Sequence, residues 1–136
     1  MKFLDDYQEH GYALMRIVAG YLFMWNGTQK FLDYPKEWPW GELSMLQMAA
    51  GSIELIGGFL ILIGLFTRYA AFICSGEMAV AYWYVHAQQA NPVFPMLNGG
   101  TLAVIYAFVF LYIASRGAGM WSIDSVRSPD SVQSPD

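Results

Sequence analysis

Four predominantly apolar stretches, residues 11–31, 43–66, 69–88 and 99–115, fill most of this 136-residue chain. They measure 21, 24, 20 and 17 residues. A helix crosses the hydrocarbon core of a bilayer in about 20 residues, so three are long enough and the fourth is marginal. Lipid cannot satisfy backbone N–H and C=O groups, which leaves the helix as the natural spanning form. The reading is an all-α membrane protein, a four-transmembrane-helix bundle over residues 11–116. A short segment, 1–10, precedes it, and a tail, 117–136, follows, expected to be disordered from about residue 125. Only 13% of residues are charged, against about 25% in soluble domains. The expected partner is the lipid bilayer. The net charge of −4 is spread over tails and loops with no basic stripe, which argues against nucleic acid.

The opening MKFLDDYQEH lacks the pattern of a cleaved leader, so the first stretch is expected to persist as a helix. Four spans place both termini on one side. That side holds Lys2, Arg68, Arg116 and Arg127, and the opposite loops hold Lys30 and Lys36. Positive charge marks the cytoplasmic side, so both termini are expected there. The turn between stretches two and three is expected at Thr67-Arg68, making a tight hairpin. The outer loop LDYPKEWPWGEL carries Trp38 and Trp40 and reads as a headgroup-level belt. The single cysteine, Cys74, excludes an intramolecular disulfide.

The apolar stretches carry charges that lipid penalises by about 2.5–3.5 kcal/mol each near a span centre. Arg16, Gly20, Phe23, Gly27 and Lys30 recur at helical spacing on one face of the first stretch. Gln47, Gly51, Glu54 and Gly58 do the same in the second. Small residues on such a face mark close helix contact. Glu54 lies about 14 Å along its helix, near the midplane. The expectation is an Arg16–Glu54 ion pair across two antiparallel helices, serving either a site or simply helix register. Glu77 shares a small-residue face with Ala70, Cys74 and Ala81. Arg16, Glu54 and Glu77 are the candidates for a buried polar, ligand-binding centre. His86 stands nine residues after Glu77, roughly on the opposite side of a regular helix, near the outer end. With Asn26, Lys30, Asn98 and Thr101 it forms a candidate outer polar mouth. No metal site is expected: there is no HxxxH, no ExxH and no cysteine cluster. No residue pattern identifies a catalytic group.

GSIELIGGFLILIGLFTRYAAF, residues 51–72, resembles the signature of the DoxX family of four-helix membrane proteins. RIVAGYLFMWNGTQKF, GEMAVAYWYVH, FPMLNGG and SRGAGMWSID, ending at Asp124, resemble other family segments in the correct order. The resemblance implies a bacterial-type inner-membrane protein linked to redox complexes. Relatives in that family include the small membrane subunit of thiosulfate:quinone oxidoreductases and a membrane partner of superoxide dismutase and a sulfurtransferase. It picks out Arg16, Lys30, Glu54, Arg68, His86 and Asn98. The chain departs from the family at Thr101, where N-G-G-E is frequent and this sequence has N-G-G-T. Glu77 is expected to lie too deep and on the wrong side to substitute. The implied function is a redox-system subunit binding a quinone or small ligand at a buried polar centre. Such a subunit is at most non-catalytic or a quinone site in an oxidoreductase complex. No covalent cofactor is expected, and quinone is the cofactor candidate. Other membrane or peripheral redox subunits, or further copies of the chain, are the implied protein partners. The rival reading is a non-enzymatic membrane scaffold or a small-solute transport protein.

Overall fold

Each apolar stretch contains a long helix. The computed structural model describes residues 2–128, and among these there is no strand. A short α1, Lys2–Asp5, precedes the 25-residue α2, Gln8–Leu32. Next come α3, Met45–Ser52, a π-helical turn, Ile53–Gly57, and α4, Gly58–Ile63, which run on as one helix. Then follow α5, Thr67–Ala81, a second π turn, Tyr82–His86, and a short α6, Ala87–Gln89. The last long helix is α7, Thr101–Arg116, and a final turn, α8, spans Ile123–Arg127. Residues 45–63 form a 19-residue helix of mean hydropathy 1.8, long and apolar enough to cross a membrane.

The helices pack as two antiparallel pairs, α2 with α3–α4 and α5 with α7. Glycine sets the first contact. A Cβ at Gly20 would lie 2.6 Å from the Leu62 backbone nitrogen, and one at Gly27 would lie 2.5 Å from that of Leu55. The backbones therefore touch where only hydrogen fits, as small residues permit between membrane helices. Position 20 faces 58 and 62, and position 27 faces 51 and 55. In the other pair, Ser75 donates to the Ala107 carbonyl at 2.7 Å. The pairs meet through Phe23, which packs edge-on against Phe110 with ring centroids 4.7 Å apart, beside Tyr106. Ala71, Cys74, Ile61 and Ile113 are fully buried in the same core.

The outward faces are apolar too. Ile56, Phe72, Val80 and Phe108 are 58–69% exposed, together with many other large apolar side chains. A water-soluble surface does not carry apolar faces on every long helix.

Several local expectations change. The α4–α5 turn is Gly64-Leu65-Phe66, with Thr67 and Arg68 already helical. The cause is remote: Asp124 accepts from the backbone nitrogens of Phe66 and Thr67, each at 2.9 Å, and from the Thr67 hydroxyl at 2.8 Å. A carboxylate at a helix N-terminus satisfies orphan donors and suits the dipole. Gln47 does not face the bundle with Gly51 and Glu54. It completes a capping box with Ser44 at the start of α3. The tail expected to be disordered from about residue 125 is helical to Arg127. Residues 129–136 of that expectation lie outside the described residues.

Candidate functional site

Register decides which buried charges meet. Because position 27 faces 51 and 55, Lys30 arrives beside Glu54. Its Nζ pairs with Glu54 Oε2, and the two side chains are 11% and 5% exposed. Arg16 sits about 12 Å away, since Glu54 and Leu62 are eight residues apart at 1.5 Å each. The expected Arg16–Glu54 pair is therefore absent. Lys30 belongs to the buried centre, away from the outer mouth where the sequence placed it.

Glu77 joins this centre from α5. It lies within electrostatic range of both Glu54 and Lys30, and its Oε2 is buried with no hydrogen-bond partner among the described residues. Cys74, one turn earlier, points its Sγ at the Ile53 carbonyl, 3.9 Å away, at the start of the first π turn. A π turn admits one extra residue into the helix and recurs at functional sites. On the other side, the ring centroid of Trp38 lies 5.2 Å from Lys30 Nζ, a cation–π distance. The Trp38 indole nitrogen is also buried without a partner among the described residues. The loop is held down there by the Trp38 N–H donating to Asp33 at 2.9 Å and by Gln29 donating to the Glu37 carbonyl at 3.2 Å. From its place in the loop alone, Trp38 is expected in a headgroup-level belt. Its proximity to Lys30 depends on how the loop folds back and has no local signal.

Arg16 is fully buried and serves a different end of the bundle. Its Nη1 donates to the carbonyls of Ile61 and Leu62 at 2.7 and 2.9 Å. Its Nη2 donates to those of Met120 and Trp121 at 3.2 and 2.7 Å. Arg68 does the same for α7, bonding the carbonyls of Ala114, Ser115 and Arg116. Both arginines thus satisfy the orphan carbonyls of a neighbouring helix C-terminus, where cations are favoured. Asp124 completes this end. Partial burial raises its pKa, but the hydrogen bonds from Thr67 and Phe66, with Arg127 nearby, outweigh that and hold the carboxyl below its ordinary range.

The expected outer mouth separates into parts. His86 Nδ1 contacts the Asn98 carbonyl oxygen at 3.2 Å. Asn98 is 4% exposed, and its side chain donates to the Asn91 carbonyl and the Tyr82 hydroxyl while accepting from the Gly100 N–H. Tyr82 in turn donates to the Pro92 carbonyl at 2.7 Å. These contacts pin the loop between α6 and α7 onto the second π turn. Thr101 is exposed at the first position of α7, and Asn26 is half-buried on α2. Neither joins the His86–Asn98 contacts. Among the described residues, no group of three or more His, Cys, Asp or Glu side chains is placed to hold a metal ion.

A sequence profile of the DoxX family matches residues 11–87. An uncharacterized protein of Haemophilus influenzae is 43% identical over 129 residues, covering 92% of this chain and 96% of the relative. A second uncharacterized protein of that organism is 31% identical over 108 residues, 75% of this chain and 69% of its own. No solved structure matches the chain.

Proposed function

This chain belongs to the DoxX family, and from that premise we propose that it is a four-span inner-membrane subunit of a redox system, with both termini cytoplasmic. The helices α2, α3–α4, α5 with its π turn, and α7 are the spans. Exposed apolar side chains on all of them support a lipid surround. Arg68 and Arg116 lie at the same end as Asp124, which favours that end as cytoplasmic.

The ligand of this reading is a quinone-class molecule at the Lys30–Glu54 pair. One observation carries it. Around this buried pair stand two buried polar atoms without partners among the described residues, the Trp38 indole nitrogen and Glu77 Oε2. Buried polar groups are nearly always satisfied, so a donor and an acceptor left over beside the same ammonium suit a polar ligand. A quinone headgroup fits their chemistry. Its carbonyl oxygens accept hydrogen bonds from the Lys30 ammonium and the Trp38 N–H, the hydroxyl of its reduced form donates to Glu77 Oε2, and its ring and tail are apolar. When bound, such a group supplies electron and proton exchange, which no side chain of this site provides alone. Redox turnover therefore requires a partner protein.

The test is a titration of the purified protein in lipid nanodiscs with a short-chain ubiquinone or menaquinone analogue, read by tryptophan quenching. Saturable binding is expected in the parent protein and weakened about tenfold or more in Lys30→Met, the loss of about 1.4 kcal/mol. Trp38→Phe should remove the largest part of the quenching signal. No saturable binding, or identical affinity in the parent and Lys30→Met, overturns the ligand and favours the scaffold.

A further inference from the structure

Two buried carboxylates lie within electrostatic range of one ammonium, and one of them pairs with it directly. Lys30 is committed to Glu54 through a direct ion pair between side chains that are 11% and 5% exposed. Glu77 approaches the same pair from α5. With Glu54 and Glu77 both ionised, the cluster carries one uncompensated negative charge, away from water. Burying a charge without a partner is among the most costly arrangements in a protein, and such groups neutralise instead. Glu77 Oε2, buried and without a hydrogen-bond partner among the described residues, is where a neutralising proton would sit.

We propose that the Lys30–Glu54–Glu77 cluster is a proton-binding site, in which the Lys30–Glu54 pair stays ionised and the proton resides on the Glu77 carboxyl. Release leaves Glu77 as a carboxylate competing with Glu54 for Lys30. Uptake restores the neutral cluster. The site thereby couples a proton to the position of the Lys30 ammonium, which a ligand seated beside Trp38 would sense.

The surroundings leave Glu77 few other partners. Among the described residues, the groups acting on it are Glu54 from the first π turn and Lys30 from α2, with Cys74 on its own helix. The helix α7 packs closely against α5, and Ser75 bonding Ala107 brings Tyr106 to this level. The Tyr106 ring packs on Phe23 and Phe110, with centroids 5.2 and 5.3 Å away, and supplies no charge. Arg16 is taken up by four carbonyls at the far end.

The proposal shares its centre and bilayer placement with the functional reading above, but it needs no quinone, so its test is run without one. Infrared spectra of the protein in quinone-free lipid nanodiscs at neutral pH should show the carbonyl stretch of one protonated carboxyl per chain. Glu77→Gln should abolish it. Glu54→Gln should abolish it as well, because Lys30 then pairs with an ionised Glu77. Lys30→Met should increase it, because neither carboxylate keeps a cation. That last variant decides the matter even where Glu77→Gln does not fold. No acid band in the parent, a band that survives Glu77→Gln, or no increase in Lys30→Met would each overturn the proposal. A band that falls when sodium chloride replaces a bulky organic-cation salt would also overturn it, as a sodium site. If the band behaves as expected and quinone titrations are flat, the proton site stands and the quinone reading falls.

Discussion

At the scale of single residues, the two buried cations of the α2 face have different jobs. Lys30 neutralises a carboxylate, whereas Arg16 satisfies carbonyls. Breaking a buried pair by removing one partner typically costs about 3–5 kcal/mol, because the other charge is stranded. Lys30→Met should therefore lower unfolding stability sharply, Glu54→Gln should lower it less because Glu77 takes up the Lys30 ammonium, and the double variant should lose less than the sum. Arg16→Met combined with Glu54→Gln should be additive to within about 0.5 kcal/mol, as expected of residues some 12 Å apart with no shared partner. Thermal or denaturant unfolding in detergent measures both cycles. Strong coupling between Arg16 and Glu54 would contradict the register seen in the structure.

At the scale of helices, that register rests on glycine. Gly20 and Gly27 press α2 onto the backbone of α3–α4, and a Cβ at Gly27 meets Leu55 N at 2.5 Å and Gly51 O at 2.6 Å. Backbone cannot rotate away as a side chain can, so Gly27→Ala must push the helices apart. Overpacking of this kind costs about 1–3 kcal/mol. It should also loosen the Lys30–Glu54 pair one turn further along, so this variant is expected to be less stable than the parent and to bind any ligand of the centre more weakly. Gly76 is a suitable control, having open space around its would-be Cβ: Gly76→Ala should fall within about 0.5 kcal/mol of the parent or above it. Equal effects at both positions would show that helix propensity, and not contact, is being measured.

At the scale of the whole molecule, the segment after α7 folds back beneath the bundle and ties three helices together. Arg16 holds its Met120 and Trp121 carbonyls, the Asp124 N–H donates to the Gly64 carbonyl at 2.9 Å, and the Asp124 carboxylate caps α5. The folded protein holds the Asp124 pKa below its usual value. Its contribution to stability is thus complete above the unfolded carboxylate pKa of about 3.9. It is lost as pH falls through the lower, folded value. Asp124→Asn should be less stable than the parent at neutral pH, and the gap should narrow on acidification below about pH 4. Melting curves across that range check the sign: a gap that widens in acid would mean the carboxylate is not what caps the helix. What the sequence determined by itself is the four long apolar helical stretches and the glycine-lined faces by which the first two meet. Apolar length and the spacing of Gly20, Gly27, Gly51 and Gly58 are local properties, readable without knowing any partner. Which charge meets which is not local. It depends on the antiparallel offset of α2 against α3–α4, on two π turns that shift the phase of the helices around Glu54 and His86, and on a loop and a tail that return from 8 and more than 50 residues away to cover Lys30 and to cap Thr67. Only the tertiary structure decides those, because a shift of two turns between the same glycine-lined faces would bring Arg16 to Glu54, carry Lys30 off that carboxylate toward the start of α3, and leave every helix unchanged.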